Sequence, residues 1–239
     1  MNRFVDILNR PEPTLAVSFT EVMNDNVIRD IGVIADVAEF RADKFSSSEL
    51  EDLAQQARRL AALPLLLTIR FGAEGGEWTA TEEERLELFT KLLPYADAVD
   101  IELAAPILPE VIEAAREQDK VVIISSHNFD FTPPTEILED KLAEAIEMET
   151  DYVKFAASAR TSEEYQRLVD FTLKNQEEGL IVVAMDSYGP LSRIVLVGIG
   201  SCLTYAFPGK EAIAPGQLGY LETHELLKKL YPDYAKLFK

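Results

Sequence analysis

Lys154 is a charged residue in an unexpected place, inside an apolar run between Val153 and Phe155. Lysine is rarely fully buried without a partner. Because burial favours the uncharged amine, a lysine in this setting can act as a nucleophile toward a carbonyl group. A lysine near a strand end can also extend its ammonium group to solvent, and the local sequence leaves both interpretations open.

His127 and Glu74 are candidates for proton transfer. His127 follows the apolar run Val121–Ser126, and histidine is the side chain best suited to moving protons near neutral pH. Glu74 precedes a Gly-Gly pair, and a carboxylate in such a loop can orient an imidazole. A hydrogen-bonded histidine at a strand end and a simple tight turn would account for the same residues, so local sequence does not separate the two explanations.

Charged residues also end several other apolar runs. They are Glu39, Arg41, Arg70, Asp100 and Glu102. Buried opposite charges should pair, and one or two such residues could be purely structural, but five around one rim are better explained as a polar pocket. Arg193, which follows the seventh predicted strand, could bind a carboxylate through its two-pronged guanidinium group.

The spacing of these residues predicts the fold that positions them. The anchors, separated by 25–32 residues, are Arg41, Arg70, Glu102, His127 and Lys154. This spacing is that of a strand, a helix and two short loops. We therefore predict an α/β protein with a single (β/α)₈ TIM-barrel domain over residues 1–239, with its chemistry at the C-terminal ends of the strands. The length of 239 residues is close to the roughly 250 typical of this fold.

Eight short apolar runs and several helical patterns alternate along the chain. The predicted strands are Leu15–Ser18, Val37–Arg41, Leu65–Arg70, Ala98–Leu103, Val121–Ser126, Tyr152–Ala156, Leu180–Met185 and Cys202–Tyr205. The first predicted helix begins with a capping box at Ser46–Glu49 and has apolar residues at Leu50, Leu53, Ala54, Ala57 and Leu60. The other predicted helices are Glu82–Leu93, Glu136–Glu149, Glu163–Glu178 and Gln217–Phe238. The last of these is expected to be an amphipathic surface helix, and it contains His224.

Charge and composition restrict the partners. The chain has 23 basic and 42 acidic residues and a net charge of −19, which disfavours binding to nucleic acid or to anionic membranes. Cys202 is the only cysteine, which excludes an intrachain disulfide and a cysteine-based zinc site. Because the sequence has neither a signal-peptide pattern nor an apolar stretch of about 18 residues, we expect a cytoplasmic protein.

Taken together, these segments resemble type I 3-dehydroquinate dehydratase, a Schiff-base-forming (β/α)₈ enzyme of the shikimate pathway. Each motif alone is weak, but the set occurs in the right order over most of the chain. The matching motifs are Glu39-Phe-Arg41-Ala-Asp43, Thr68-Ile-Arg70, Glu74-Gly-Gly76, Asp100-Ile-Glu102, Ser126-His127-Asn-Phe129, Val153-Lys154, Met185, Ser192-Arg193, Gly200-Ser201, Leu203-Thr204 and Ala214-Pro-Gly-Gln217.

The resemblance implies a role for each matching residue. Lys154 would form an imine with the ketone of 3-dehydroquinate, and His127 would be the acid and base, with Glu74 beside it. Arg193 would bind the substrate carboxylate. The other residues implied to line the substrate pocket are Glu39, Arg41, Arg70 and Gln217 on the hydroxyl-binding side and Met185 near the ring. We expect a small-molecule substrate, no metal or organic cofactor, and a homodimer.

Two departures from the family pattern and two alternatives remain. Phe40 stands where the family often has tryptophan, and Ile213 stands where we expect a serine that contacts substrate. Losing that neutral hydrogen bond would cost about 0.5–1.5 kcal/mol.

One alternative function is that of a class I aldolase, which would share Lys154 and often bind phosphate. Gly198–Ser201 is a weak candidate for such a phosphate site. The other is a non-catalytic protein that binds shikimate-type acids.

Overall fold

The computed structural model describes residues 3–45, 49–209 and 212–238. Within them, eight parallel strands form one sheet in the order β7-β6-β5-β4-β3-β2-β1-β8. The strands are β1 (Leu15–Phe19), β2 (Val37–Arg41), β3 (Leu65–Thr68), β4 (Ala98–Glu102), β5 (Val121–Asn128), β6 (Tyr152–Ser158), β7 (Leu180–Met185) and β8 (Thr204–Ala206). The predicted (β/α)₈ barrel is confirmed, and each predicted strand overlaps one of these eight.

Helices connect the strands and cover the outside of the barrel. They are α1 (Arg3–Leu8), α2 (Asp25–Ile31), α3 (Leu50–Leu60), α4 (Glu82–Leu92), α5 (Leu108–Arg116), α6 (Thr135–Glu147), α7 (Ser162–Lys174), α8 (Gly189–Val195), α9 (Tyr220–Leu230) and α10 (Pro232–Lys236). Thr81 and Thr161 form capping boxes that start α4 and α7. The predicted capping box at Ser46–Glu49 involves residues 46–48, which lie outside the described residues.

Two apolar layers follow from the alternation of side chains along each strand. In β6, Val153 and Phe155 face outward and belong to the core between the barrel and its helices. Ala156 faces inward and belongs to a second core that fills the barrel. Phe4 and Leu8 of α1 pack against this inner core. Because Lys154 lies between two outward-facing residues, the same alternation directs its side chain into the barrel.

The barrel closes between β7 and β8 without a regular ladder. The amide of Cys202 donates a hydrogen bond of 2.7 Å to the carbonyl of Leu180. The Ser201 hydroxyl accepts a hydrogen bond of 2.9 Å from the amide of Val182. β8 then pairs with β1 in parallel register. These bonds place β8, and with it Tyr205, beside the strands that carry the polar residues.

The C-terminal segment differs from its prediction in one way. Gln217–Phe238 forms two helices rather than one, because Pro232 begins α10 after α9 has ended. His224 lies on the buried side of α9 and is only 5% exposed. Its Nδ1 lies 3.0 Å from the Tyr234 hydroxyl and its ring contacts Phe238 edge-on. α10 and the residues after it therefore fold back over α9 and cover the histidine.

Candidate active site

All nine sequence-predicted site residues line one cavity at the C-terminal ends of the strands. They are Glu39, Arg41, Arg70, Glu74, His127, Lys154, Met185, Arg193 and Gln217. The strand register explains part of this grouping, because Ser125 of β5 lies opposite Lys154 of β6 and Thr68 of β3 lies opposite Asp100 of β4. Polar side chains thus form a layer above the apolar interior of the barrel.

Lys154 is 5% exposed and its ammonium group is held inside the barrel. Nζ donates a hydrogen bond of 2.8 Å to Asp100 Oδ2 and lies 3.8 Å from Glu39 Oε1. It also lies 4.2 Å from the centre of the Tyr205 ring, which places the cation on the aromatic face. The side chain does not extend to solvent, so the nucleophile interpretation has the geometry it needs.

Asp100 is the anionic partner that fixes Lys154. Its other oxygen, Oδ1, accepts hydrogen bonds from Arg70 at 2.6 Å and from the Ser125 hydroxyl at 2.7 Å. Burial raises the pKa of a carboxyl group, but the cationic Arg70 and Lys154 outweigh it and hold the pKa of Asp100 well below its usual range. Asp100 therefore stays ionised and keeps the lysine in one position.

Arg70 lines the cavity, and its guanidinium group is hydrogen-bonded within this network. Besides Asp100, it donates to Glu102 Oε1 at 2.9 Å and to Ser125 at 2.8 Å. Glu102 in turn accepts a hydrogen bond of 2.9 Å from Arg85 of α4, which is fully buried. Sequence reasoning missed Arg85, because it follows a run of glutamates in a helix whose sequence resembles a solvated face.

Glu74 and His127 form a directly bonded pair. Glu74 Oε2 accepts a hydrogen bond of 2.9 Å from the His127 amide and lies 2.8 Å from Nδ1 of the same residue. Burial, reinforced by the nearby Arg70 and Lys154, holds the pKa of His127 well below 6.5. The imidazole is therefore neutral at pH 7. With Nδ1–H donating to Glu74, the lone pair of Nε2 is available as a base.

The Gly-Gly pair after Glu74 allows the loop to approach its neighbours closely. Gly75 has a φ of 80°, and a Cβ there would lie 2.4 Å from the ring of Phe129. A Cβ on Gly76 would lie 1.8 Å from the carbonyl oxygen of Arg70. These contacts explain why glycine is required at both positions. The close packing of both glycines also places Glu74 next to His127.

Arg193 differs from the other cations of the cavity in having no anionic partner among the described residues. It lies on α8, is 2% exposed and leaves its buried Nε without a hydrogen bond. Arg41, by contrast, is paired with Asp43 through two hydrogen bonds of 2.9 and 2.8 Å. Burial lowers the pKa of Arg193 to about 10, which leaves it charged at neutral pH. An unpaired buried guanidinium fits an anionic ligand.

Gln217 and Ile213 belong to a loop that forms another side of the cavity. Gln217 Oε1 accepts a hydrogen bond of 3.0 Å from the amide of Ile213, and both residues line the cavity. Gly216, with a φ of 74°, packs against Gly189 so closely that a Cβ on Gly216 would lie 2.8 Å from the Gly189 Cα. The loop is thereby fixed to the start of α8, and Ile213 presents an apolar side chain where a serine was expected.

Two further features of the sequence proved different from the simplest expectation. Gly198–Ser201 does not open into the cavity: Ser201 is buried with its hydroxyl bonded to β7, and a Cβ on Gly198 would lie 2.3 Å from the Tyr231 hydroxyl. Tyr205 was overlooked as a cavity residue. The available signal was its place in the eighth predicted strand, but an aromatic residue there also fits an ordinary core.

Among the described residues, no group of three or more His, Cys, Asp or Glu side chains is arranged to hold a metal ion.

The fold and this cavity define a class of protein, a (β/α)₈-barrel enzyme with a buried lysine and a neutral histidine in one polar site. The family model for type I 3-dehydroquinase matches residues 15–233. The chain belongs to this family.

Individual relatives agree with the family match. 3-Dehydroquinate dehydratase of Methanosarcina acetivorans is 38% identical over 207 residues, covering 82% of this chain and 86% of that protein. The enzyme of Methanococcoides burtonii is 32% identical over 218 residues, covering 89% and 91%. The crystal structure of the Aquifex aeolicus enzyme superimposes with a TM-score of 0.80 at 32% identity, covering 91% of this chain and 99% of that one.

Proposed function

We propose that this chain dehydrates 3-dehydroquinate to 3-dehydroshikimate through an imine at Lys154, with His127 as general acid and base. The observation that carries the proposal is the meeting of Lys154, held by Asp100, with a neutral His127, held by Glu74, in one buried cavity. Relatives named 3-dehydroquinate dehydratase support the choice of substrate.

Imine formation comes first in the proposed sequence. The neutral His127 takes a proton from Nζ of Lys154, whose lone pair then attacks the substrate ketone and forms a carbinolamine. His127 returns that proton to the carbinolamine hydroxyl, which leaves as water and gives an iminium ion, whose positive nitrogen draws electrons from the neighbouring carbon. This electron sink is needed because the proton α to a simple ketone is poorly acidic. The aspartate at 2.8 Å from Nζ stabilises the cationic nitrogen.

Proton transfer by His127 then eliminates the hydroxyl group. Nε2 takes the α-proton, and the electrons of that C–H bond form an enamine with the lysine nitrogen. The enamine expels the β-hydroxyl, which leaves as water with a proton from His127. Water hydrolyses the resulting conjugated iminium ion and returns the free lysine. The net change is loss of one water molecule, with no redox step.

The polar wall of the cavity is proposed to orient the substrate. Arg193 binds the carboxylate, Met185 contacts the ring, and the hydroxyl groups face Glu39, Arg41 and Gln217. Because its hydrogen bonds go to Asp100, Glu102 and Ser125, we propose that Arg70 positions Asp100 and does not itself hold a substrate hydroxyl.

A spectrophotometric assay tests the activity directly. Purified protein mixed with 3-dehydroquinate should produce the ultraviolet absorbance of a conjugated enone, and the product should be identified as 3-dehydroshikimate by mass spectrometry. Binding of the acid without enone formation would instead support the non-catalytic alternative. Cleavage of a carbon–carbon bond would support the aldolase alternative, for which the buried Ser201 offers no phosphate site.

Arg193→Lys should raise KM for 3-dehydroquinate at least about tenfold. Lysine keeps the positive charge but loses the two-pronged guanidinium. The lysine and the other two arginines that line the cavity in the described part of the chain are already paired with carboxylates. Steady-state kinetics would measure the change, with Arg58→Lys as the matched control, because Arg58 is exposed on α3 and pairs with Glu51 away from the cavity. An unchanged KM and kcat/KM in Arg193→Lys and Arg193→Ala would place the carboxylate elsewhere.

The activity should fall as the pH drops through about 7. Burial raises the pKa of Glu74 to about 7, so the carboxylate gains a proton below this pH and no longer accepts Nδ1–H from His127. The pKa of His127 lies well below 6.5, so the histidine stays neutral as the pH drops through about 7. A profile of kcat/KM from pH 5.5 to 8.5 should show this acidic limb.

Glu74→Gln should remove the limb and lower kcat, because glutamine cannot titrate and is a weaker acceptor. Glu77→Gln is the matched control, since Glu77 is an exposed carboxylate three residues away that binds Lys44. A Glu74→Gln enzyme that keeps the acidic limb would show that another group sets it.

The remaining expectations concern assembly and location. No helix in the described parts of the chain is long and apolar enough to cross a membrane. A homodimer, a cytoplasmic location and the absence of a nucleic-acid partner stay predictions. Light scattering of the purified protein would measure the oligomeric state.

A further inference from the structure

Tyr205 presents a buried hydroxyl group that nothing in the described chain satisfies. The residue is 4% exposed, and its Oη has no hydrogen-bond partner. A buried polar group without a partner destabilises a fold by about 1–3 kcal/mol, and phenylalanine would fill the same space without this cost. Because Tyr205 also lines the cavity, its unpaired hydroxyl points to a ligand that pairs with it.

The position of the ring places Tyr205 beside the proposed substrate. Tyr205 lines the same cavity as Lys154 and Arg193. The Lys154 ammonium group lies 4.2 Å from the ring centre, on the aromatic face. A substrate joined to that nitrogen therefore lies next to this tyrosine.

The surrounding charges indicate what the hydroxyl meets. Burial raises the pKa of Tyr205 well above its usual value, with Glu39 and Asp100 adding to the effect, so the phenol is a hydrogen-bond donor at neutral pH. Arg193 lines the same cavity, and its Nε is likewise unpartnered. Two unpaired donors in one cavity match a single strong acceptor such as a carboxylate.

We propose that the Tyr205 hydroxyl donates a hydrogen bond to the substrate carboxylate bound by Arg193 and so is a specificity-determining residue for acids. This assignment rests on the proposed function of the cavity.

The test removes one oxygen atom from the protein and one charge from the ligand. The probes are shikimate, which has no ketone and cannot form an imine, and its methyl ester. Tyr205→Phe should raise the Kd of shikimate about tenfold, as loss of a hydrogen bond to a charged group implies, and change that of the ester less than twofold. NMR titration would measure both values, and KM for 3-dehydroquinate should rise in parallel with that of shikimate.

Tyr165→Phe is the matched control. Tyr165 also has a buried hydroxyl without a partner, but it stacks on Tyr188 and does not line the cavity. This substitution should leave both affinities unchanged. Tyr205→Phe should also keep or raise the melting temperature, since it removes an unpaired buried group. If the hydroxyl had only a structural role, Tyr205→Phe would not lose affinity for shikimate alone while its melting temperature stayed the same or rose.

Three results would overturn the inference: unchanged binding of shikimate by Tyr205→Phe, equal weakening of acid and ester, or wild-type protein that binds the ester as tightly as the acid. Failure of the proposed function looks different. In that case wild-type protein forms no enone from 3-dehydroquinate, while the comparison of acid with ester still reports the carboxylate contact.

Discussion

Lys154→Met should abolish enone formation from 3-dehydroquinate, with kcat lowered by at least about 10⁴-fold. Methionine keeps an unbranched side chain in the barrel but cannot attack the ketone, so the covalent intermediate is lost. The variant should still fold, because Asp100 keeps its hydrogen bonds to Arg70 and Ser125 after the ammonium group is gone. Steady-state assays at saturating substrate would measure kcat, and a melting curve would show whether the variant folds.

Lys174→Met is the matched control for this substitution. Lys174 also pairs with a carboxylate, that of Glu139, but it lies exposed on α7. Its replacement should leave turnover unchanged. If Lys154→Met retained more than a few per cent of wild-type kcat, another group would have to form the imine or the reaction would need none.

His127→Ala should lower kcat by about 10²–10⁴-fold, the usual contribution of a general acid and base, and change substrate affinity far less. The substitution removes Nε2, which is proposed to take the α-proton and to return a proton to the departing hydroxyl. Imine formation should slow as well, because its proton transfers lose the same group. Single-turnover measurements would separate the two steps.

The other histidine provides the control. His224 is buried against Tyr234 and Phe238, away from the cavity, so His224→Ala should lower the melting temperature and leave kcat unchanged in the folded protein. If His127→Ala instead turned over at nearly the normal rate, His127 would have no part in the proton transfers.

The barrel could be predicted from the sequence because the residue types along each strand follow the environment of each side chain. In Val153-Lys154-Phe155, the alternation of side chains sends the two apolar residues outward and the lysine inward, and similar patterns recur at 25–32-residue intervals. β2 and β7 have the predicted bounds, whereas β5 extends two residues further than predicted and includes His127. Strand ends are set by neighbouring strands, which a local pattern does not contain.

The parts of the site that were missed depend on contacts between distant segments. Arg85 is buried where Glu102, on the following strand, and the carbonyl of Ile69 accept its hydrogen bonds. Tyr205 looks like a core aromatic residue until its unpaired hydroxyl and the lysine on its ring are seen together. Outside the site, His224 is covered by a helix that begins at Pro232. In each case the neighbour that determines the environment of the residue is distant in sequence or lies in a separate helix or strand.

The central claim is that Lys154 becomes covalently attached to the substrate. Sodium borohydride added to the enzyme during turnover of 3-dehydroquinate should reduce the iminium ion and inactivate the protein. Peptide mass spectrometry should then locate the reduced adduct on Lys154, and the Lys154→Met protein should show none. An active enzyme that yields no adduct, or an adduct confined to another lysine, would contradict the account.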